Sequence, residues 1–102
     1  MTQISFHEVC RLWKQEKKRY VKTSTMAAYS LIIQNHLEPQ FKTLNEVTTH
    51  SVQKMIDRKL KDGLNVTTIK GMLIVLKMIV KYGEKHGWIE HRIIEVRFPT
   101  PR

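Results

Sequence analysis

The chain has 102 residues, 41% hydrophobic and 26% charged, with a net charge of +9. That suits one domain with a single core; with only 4 Gly, 3 Pro and no long apolar run, a collagen-like array, a disordered linker and a membrane-spanning helix are excluded. A lone cysteine, Cys10, rules out an internal disulfide, and the opening Met1-Thr2-Gln3-Ile4-Ser5 lacks the basic and apolar regions of a signal peptide, so a cytoplasmic location is expected.

Ser5-Phe6-His7-Glu8 is a capping box: the Ser5 hydroxyl accepts from the third helical N–H and Glu8 reaches back to the Ser5 amide. Behind it Phe6, Val9, Cys10, Trp13, Lys17 and Tyr20 recur at spacings of three and four, one face of a helix predicted over residues 5–20. The stem of Lys17 is expected along the core edge, its ammonium in water. A second helix starts at Thr23-Ser24-Thr25, whose hydroxyls are suited to cap its first turn. Its face is Met26, Tyr29, Ile32, Ile33 and Leu37, and Pro39 stops it. Gln40 to Val47 is a short connection with Phe41, Leu44 and Val47 turned inward. Thr48 or Thr49 caps a third helix with Val52, Met55, Ile56 and Leu60 on one face, closed by Gly63 in a left-handed turn. Asn65 or Thr67 caps a fourth, which carries Ile69, Leu73, Leu76, Ile79, Val80 and Gly83 and ends near His86-Gly87. Gly71 costs about 1 kcal/mol against alanine in a helix, which suggests a close backbone approach or else a tolerant position.

After Gly87 an apolar and basic stretch runs to Phe98-Pro99-Thr100-Pro101-Arg102 and reads as an interdomain linker. The expected fold is all-α: a compact four-helix bundle over residues 1–90 with an extended C-terminal linker over 91–102.

The charge is unevenly spread. Arg11, Lys14, Lys17, Lys18, Arg19 and Lys22 face only Glu16 across twelve residues, and Lys54, Arg58, Lys59 and Lys61 face only Asp57. Arg11, Lys14 and Lys18 form a stripe on the first helix; Lys70, Lys77, Lys81 and Lys85 form another on the fourth. Aligned cations match the phosphates of a polyanion, and helix N-termini add amide donors and a positive dipole end. The two hydroxyl-rich starts, Lys22-Thr23-Ser24-Thr25 and Asn65-Val66-Thr67-Thr68 with Lys70, are therefore candidate phosphate contacts, with capping as the alternative role for each hydroxyl. The candidate DNA-binding set is Lys22, Thr23, Ser24, Thr25, Asn65, Thr67, Thr68 and Lys70, with Arg11, Lys14, Lys18 and Lys77 beside it.

No catalytic constellation accompanies this surface. His7, His36, His50, His86 and His91 have no paired ligand spacing, and His7 with Cys10 supplies two ligands where a zinc site takes three or four. The four glycines are scattered, so no phosphate-cradling loop forms. Neither a metal, a cofactor nor a small-molecule ligand is expected, and no membrane partner.

The order of these elements resembles the core-binding, SAM-like helical domain of tyrosine recombinases of the phage and transposon integrase class. Ser5-Phe6 with Glu8 and Trp13 is similar to the family's opening helix. Ser24-Thr25 with Tyr29 resembles its S-T-x-x-x-Y signature. Leu37, Pro39 and Phe41 resemble its helix stop, and Leu44-Asn45-Glu46-Val47-Thr48 the approach to the third helix. Gly63-Leu64-Asn65 with Thr68-Ile69 resembles G-L-S-x-x-T-I, and Gly87-Trp88-Ile89 closes the last helix as in the family. Two departures stand out: Glu90-His91-Arg92-Ile93 replaces the usual Asn-Pro, and Val80 or Lys81 replaces a small alanine.

The resemblance implies a non-catalytic clamp on core-site duplex DNA, presenting the starts of helices two and four to the major groove. Its partners would be the catalytic domain of the same chain and other recombinase protomers. The whole protein would cut and rejoin DNA through a phosphotyrosyl link in the integration and recombination of a mobile element. The catalytic Arg/His/Lys set and tyrosine nucleophile of the family belong to a following domain and have no match here; Tyr20, Tyr29 and Tyr82 belong to or adjoin the helical apolar faces. The competing readings are a basic helical module for an acidic protein partner and an RNA-binding helical domain. The second is disfavoured because most of the eight aromatics fall on apolar faces rather than being free to stack.

Overall fold

The computed structural model describes residues 4–98. The reading of Met1–Gln3 and of the Pro99–Arg102 ending lies outside them. Four α-helices follow in chain order: α1 Phe6–Lys17, α2 Thr23–Ile32, α3 Thr49–Lys61 and α4 Val66–Lys85. A π-helical turn, Ile33–Leu37, prolongs α2, and a 3₁₀ turn, Leu44–Glu46, precedes α3. The described residues hold no β-strand, only an isolated bridge between Ser5 and Thr43. The all-α expectation is met.

Ser5 caps α1 by accepting from the Glu8 amide. The helix stops at Lys17, three residues short of the expected end. Arg19 and Tyr20 donate to the Glu16 and Lys17 carbonyls, and these i→i−3 bonds tighten the last turn. The tighter winding rotates Tyr20 off the apolar stripe: it is 75% exposed, not a face residue. Phe6, Val9, Cys10 and Trp13 are buried as expected.

At the end of α2 the Glu38 amide reaches back five residues to the Ile33 carbonyl at 2.8 Å. Ile33 and Leu37 are fully buried there, just before Pro39. Thr48 caps α3 in a reciprocal box with Ser51, and Asn65 caps α4 by accepting from the Thr68 amide at 2.8 Å. Gly63 and Gly87 adopt φ of 98° and 73°, the left-handed conformation in which glycine closes α3 and α4.

One core joins the elements. Phe6, Ile33, Leu37, Leu44, Val47, Ile56, Ile69, Met72, Leu76 and Ile79 are all 0% exposed. The inferred close approach at Gly71 is not present: a Cβ there would meet nothing within 4 Å. The crowded glycine is Gly83, where a Cβ would run into Leu44 Cδ2.

α1 and α2 form an antiparallel pair. Trp13 packs on Tyr29 with ring centroids 5.7 Å apart, and the far end is tied by His7 Nδ1 and Glu38 Oε1 at 2.8 Å. Glu16, in the last turn of α1, lies 3.9 Å from Lys85 at the end of α4, so these two helices finish at the same end of the bundle.

The tail after α4 is extended, and residues 91–98 of the expected linker are packed onto the bundle. Ile89 and Ile94 are buried in the core. Arg92 Nη1 donates to the Asn45 and Val47 carbonyls at 3.3 and 2.9 Å, fixing the tail to the turn before α3.

Candidate nucleic-acid interface

The start of α2 differs from those of the other α-helices. Its N-cap residue is Lys22, and no side chain accepts from the first turn. The expected capping by Thr23, Ser24 and Thr25 is not made: they are the first three helical residues, and their hydroxyls form no hydrogen bond among the described residues. The reason is register. With Lys22 in the extended cap conformation (φ −68°, ψ 155°), the hydroxyls sit one to three positions too late to fold back on the first amides. The amides of Thr23, Ser24 and Thr25 therefore point outward without an intrahelical acceptor. Lys22, Thr23 and Ser24 are exposed and Thr25 is half-buried.

The start of α4 is arranged otherwise. Asn65 is committed to its cap, while Thr67 and Thr68 are exposed. Lys70 lies 5.5 Å from the centre of the Phe98 ring, a cation–π contact. Lys70 and Lys77 come together on one groove of about 470 Å3 with Leu73, Ile74, Ile94 and Phe98. Both lysines are exposed.

Arg11, Lys14 and Lys18 follow His7 at four, seven and eleven residues, which keeps all four on one flank of α1. His7 meets Glu38 at the end of α2's extension, so this stripe lies toward α2, whereas Glu16 faces α4. Arg11 is bound to Glu8 one turn back through its guanidinium. This pair raises the Arg11 pKa and lowers that of Glu8, so Arg11 is partly neutralised locally. The candidates thus fall into two sets, one on the α1–α2 pair and one along α4 and the tail. Among the described residues no hydrogen bond or ion pair joins them.

Sequence reasoning missed Thr49, Gln53, Arg92 and Phe98. Thr49 Oγ1 donates to the Ile93 carbonyl at 3.0 Å and accepts from the Glu95 amide at 3.4 Å. Gln53 accepts from the Arg97 amide at 2.8 Å and donates to the Arg97 carbonyl at 3.1 Å. The signal was present: Ile94, Val96 and Phe98 alternate with Ile93, Glu95 and Arg97, and Thr49 and Gln53 are one helical turn apart.

Burial pushes the Cys10 thiol up to about 12, so Cys10 is a packing residue. Among the described residues no group of three His, Cys, Asp or Glu side chains could hold a metal, and no helix is long and apolar enough to cross a membrane.

A family model of the phage integrase N-terminal SAM-like domain matches residues 5–60. The chain belongs to that family. No curated protein and no solved structure matches it. The match spans α1, α2 and nearly all of α3, so the α1 stripe and the open start of α2 lie within the integrase-type domain. The Asn65–Lys77 set and the tail follow it. Membership ties the chain to phage integrase-type recombination, through an N-terminal domain that is not the catalytic one.

Proposed function

We propose that this chain is the core-site DNA clamp of a tyrosine recombinase. The observation that carries the reading is the open start of α2, which offers three unpaired amides, exposed hydroxyls and Lys22 to a phosphate inside an integrase-family domain. Amides and a cation converging on one point are what a phosphate oxygen requires. Lys70, Thr67 and Thr68 supply a second contact at the start of α4, and Arg11, Lys14, Lys18 and Lys77 add longer-range attraction. Such contacts position a duplex without reading its bases.

In this reading residues 1–90 form the clamp and 91–102 lead toward a catalytic domain of the same chain, which would supply the strand-breaking tyrosine. Double-stranded DNA and other recombinase protomers are the partners, and the setting is the cytoplasm of a cell hosting a phage or other mobile element.

The test is fluorescence anisotropy of the 102-residue chain on duplex DNA at two salt concentrations. Binding should fall with salt, with a log–log slope of about −0.9 per phosphate neutralised. Lys22→Ala and Lys70→Ala should each weaken binding and flatten that slope by about one phosphate, while Lys42→Ala, in the connection before α3, should change little. Absent or salt-insensitive binding at low salt would refute the proposal. Equal binding to duplex DNA, heparin and an acidic peptide would transfer the function to an acidic protein partner.

A further inference from the structure

The tail after α4 is held in a way that a passive connector would not require. Thr49 and Gln53 stand one turn apart on α3 and between them engage the backbone of Ile93, Glu95 and Arg97 through four hydrogen bonds. The side chains thereby act as the edge of a β-sheet would, pairing with every second residue of an extended segment. The intervening residues turn the other way: Ile94 is 7% exposed, and Val96 and Phe98 are half-buried against the core.

This placement brings the tail onto the cations of α4. Phe98 lies against the Lys70 ammonium, and Glu95 lines the same groove as Lys70 and Lys77. A carboxylate and an aromatic face thus occupy the surroundings of two lysines that the proposed function assigns to phosphate.

We infer that residues 93–98 are a releasable strap that competes with duplex DNA for Lys70 and Lys77. The inference rests on the DNA-binding reading above. It adds that the domain binds in two states, strap seated and strap released, and that DNA favours the second. The contacts holding the strap are four hydrogen bonds to exposed or half-buried side chains, one cation–π contact, and the packing of Ile94 with half-buried Val96 and Phe98 at the edge of the core, a set small enough beside the rest of the core to open locally without unfolding the bundle.

Truncation is a poor test, because it would remove Arg97 and the buried Ile94 together with Glu95. The double variant Gln53→Ala/Phe98→Ala loosens the strap and leaves the net charge unchanged. In the 102-residue chain it should bind duplex DNA roughly threefold to tenfold more tightly at low salt, the range expected when an exposed cation–π contact and a few surface hydrogen bonds no longer oppose binding. Tighter binding by a correctly folded variant supports the strap.

A second measurement needs no variant. Linkage requires DNA to release the strap if strap release favours DNA. Hydrogen exchange at the Glu95 and Arg97 amides of the unmodified chain should therefore quicken when duplex is added. Slowed or unchanged exchange, or unchanged or weaker binding by the variant, would overturn the strap while leaving the DNA-binding reading in place. No salt-dependent binding by either chain would remove both.

Discussion

Two glycines of the same helix should respond to alanine with opposite signs. At Gly71 a Cβ enters open space, so Gly71→Ala gains only helix propensity and a stiffer unfolded chain, about 1 kcal/mol. At Gly83 the same propensity gain is opposed. The new methyl would meet Leu44 Cδ2 and approach Ile89 Cγ1 at 3.7 Å. Leu44 is 0% exposed, so its side chain can move only by displacing its neighbours. Overpacking of this kind costs about 1–3 kcal/mol, and subtracting the propensity gain leaves a net loss of about 1 kcal/mol.

The two variants should therefore differ by about 2 kcal/mol. Urea unfolding followed by far-UV circular dichroism measures this directly, and each kcal/mol corresponds to a melting shift of about 4–8 °C in a domain of this size. Shortening the obstructing side chain supplies the control. In a Leu44→Ala background Gly83→Ala should lose its penalty, giving a coupling energy of about 1 kcal/mol or more. A Gly83→Ala protein as stable as its parent, or a penalty that persists without Leu44, would refute the account of how α4 meets the connection before α3.

Two further outcomes follow from the structure. Lys22→Asn should stabilise the domain by about 1 kcal/mol in the same unfolding assay, because asparagine at this position can cap the open start of α2, yet weaken duplex binding in anisotropy; a change in the same direction in both would contradict the division of roles. His36 is held below its ordinary pKa by burial and by Lys59, whose ammonium lies 3.1 Å from Nδ1. The folded state thus resists a proton that the unfolded chain accepts near the ordinary histidine value of about 6.5, so this contribution is present above that pH and lost as the pH falls below it. Lys59→Met should raise the His36 pKa in an NMR titration and reduce the loss of stability on acidification.

The bundle was largely legible because local rules sufficed. The spacing of Val9, Trp13, Ile69, Leu73 and Leu76 marks buried faces whatever they pack against, and Gly63 and Gly87 mark turns by conformation alone. What escaped depends on residues distant in sequence. The sequence sets Gly83 on the apolar face of α4 and suggests the close approach at Gly71; that Gly83 is the crowded one emerges only when Leu44, 39 residues before it, is brought beside it. Tyr20 continues the spacing of α1 on paper but leaves its face when the last turn tightens. At the candidate interface, the stripes on α1 and α4 followed from helical periodicity. The seat of Phe98 against Lys70 required knowing that the tail turns back along α3, and the lack of a cap on α2 turned on a shift of one residue in where the helix begins.

That return of the tail has a geometric consequence. α4 is 20 residues long, about 30 Å from first turn to last, and the chain leaves its far end at His86. Twelve residues later it has come back to Lys70. A fluorophore or fusion partner joined after Phe98 would begin its own path beside the first turns of α4, and energy transfer from a label there to one at Thr67 would report a short separation rather than the length of the rod.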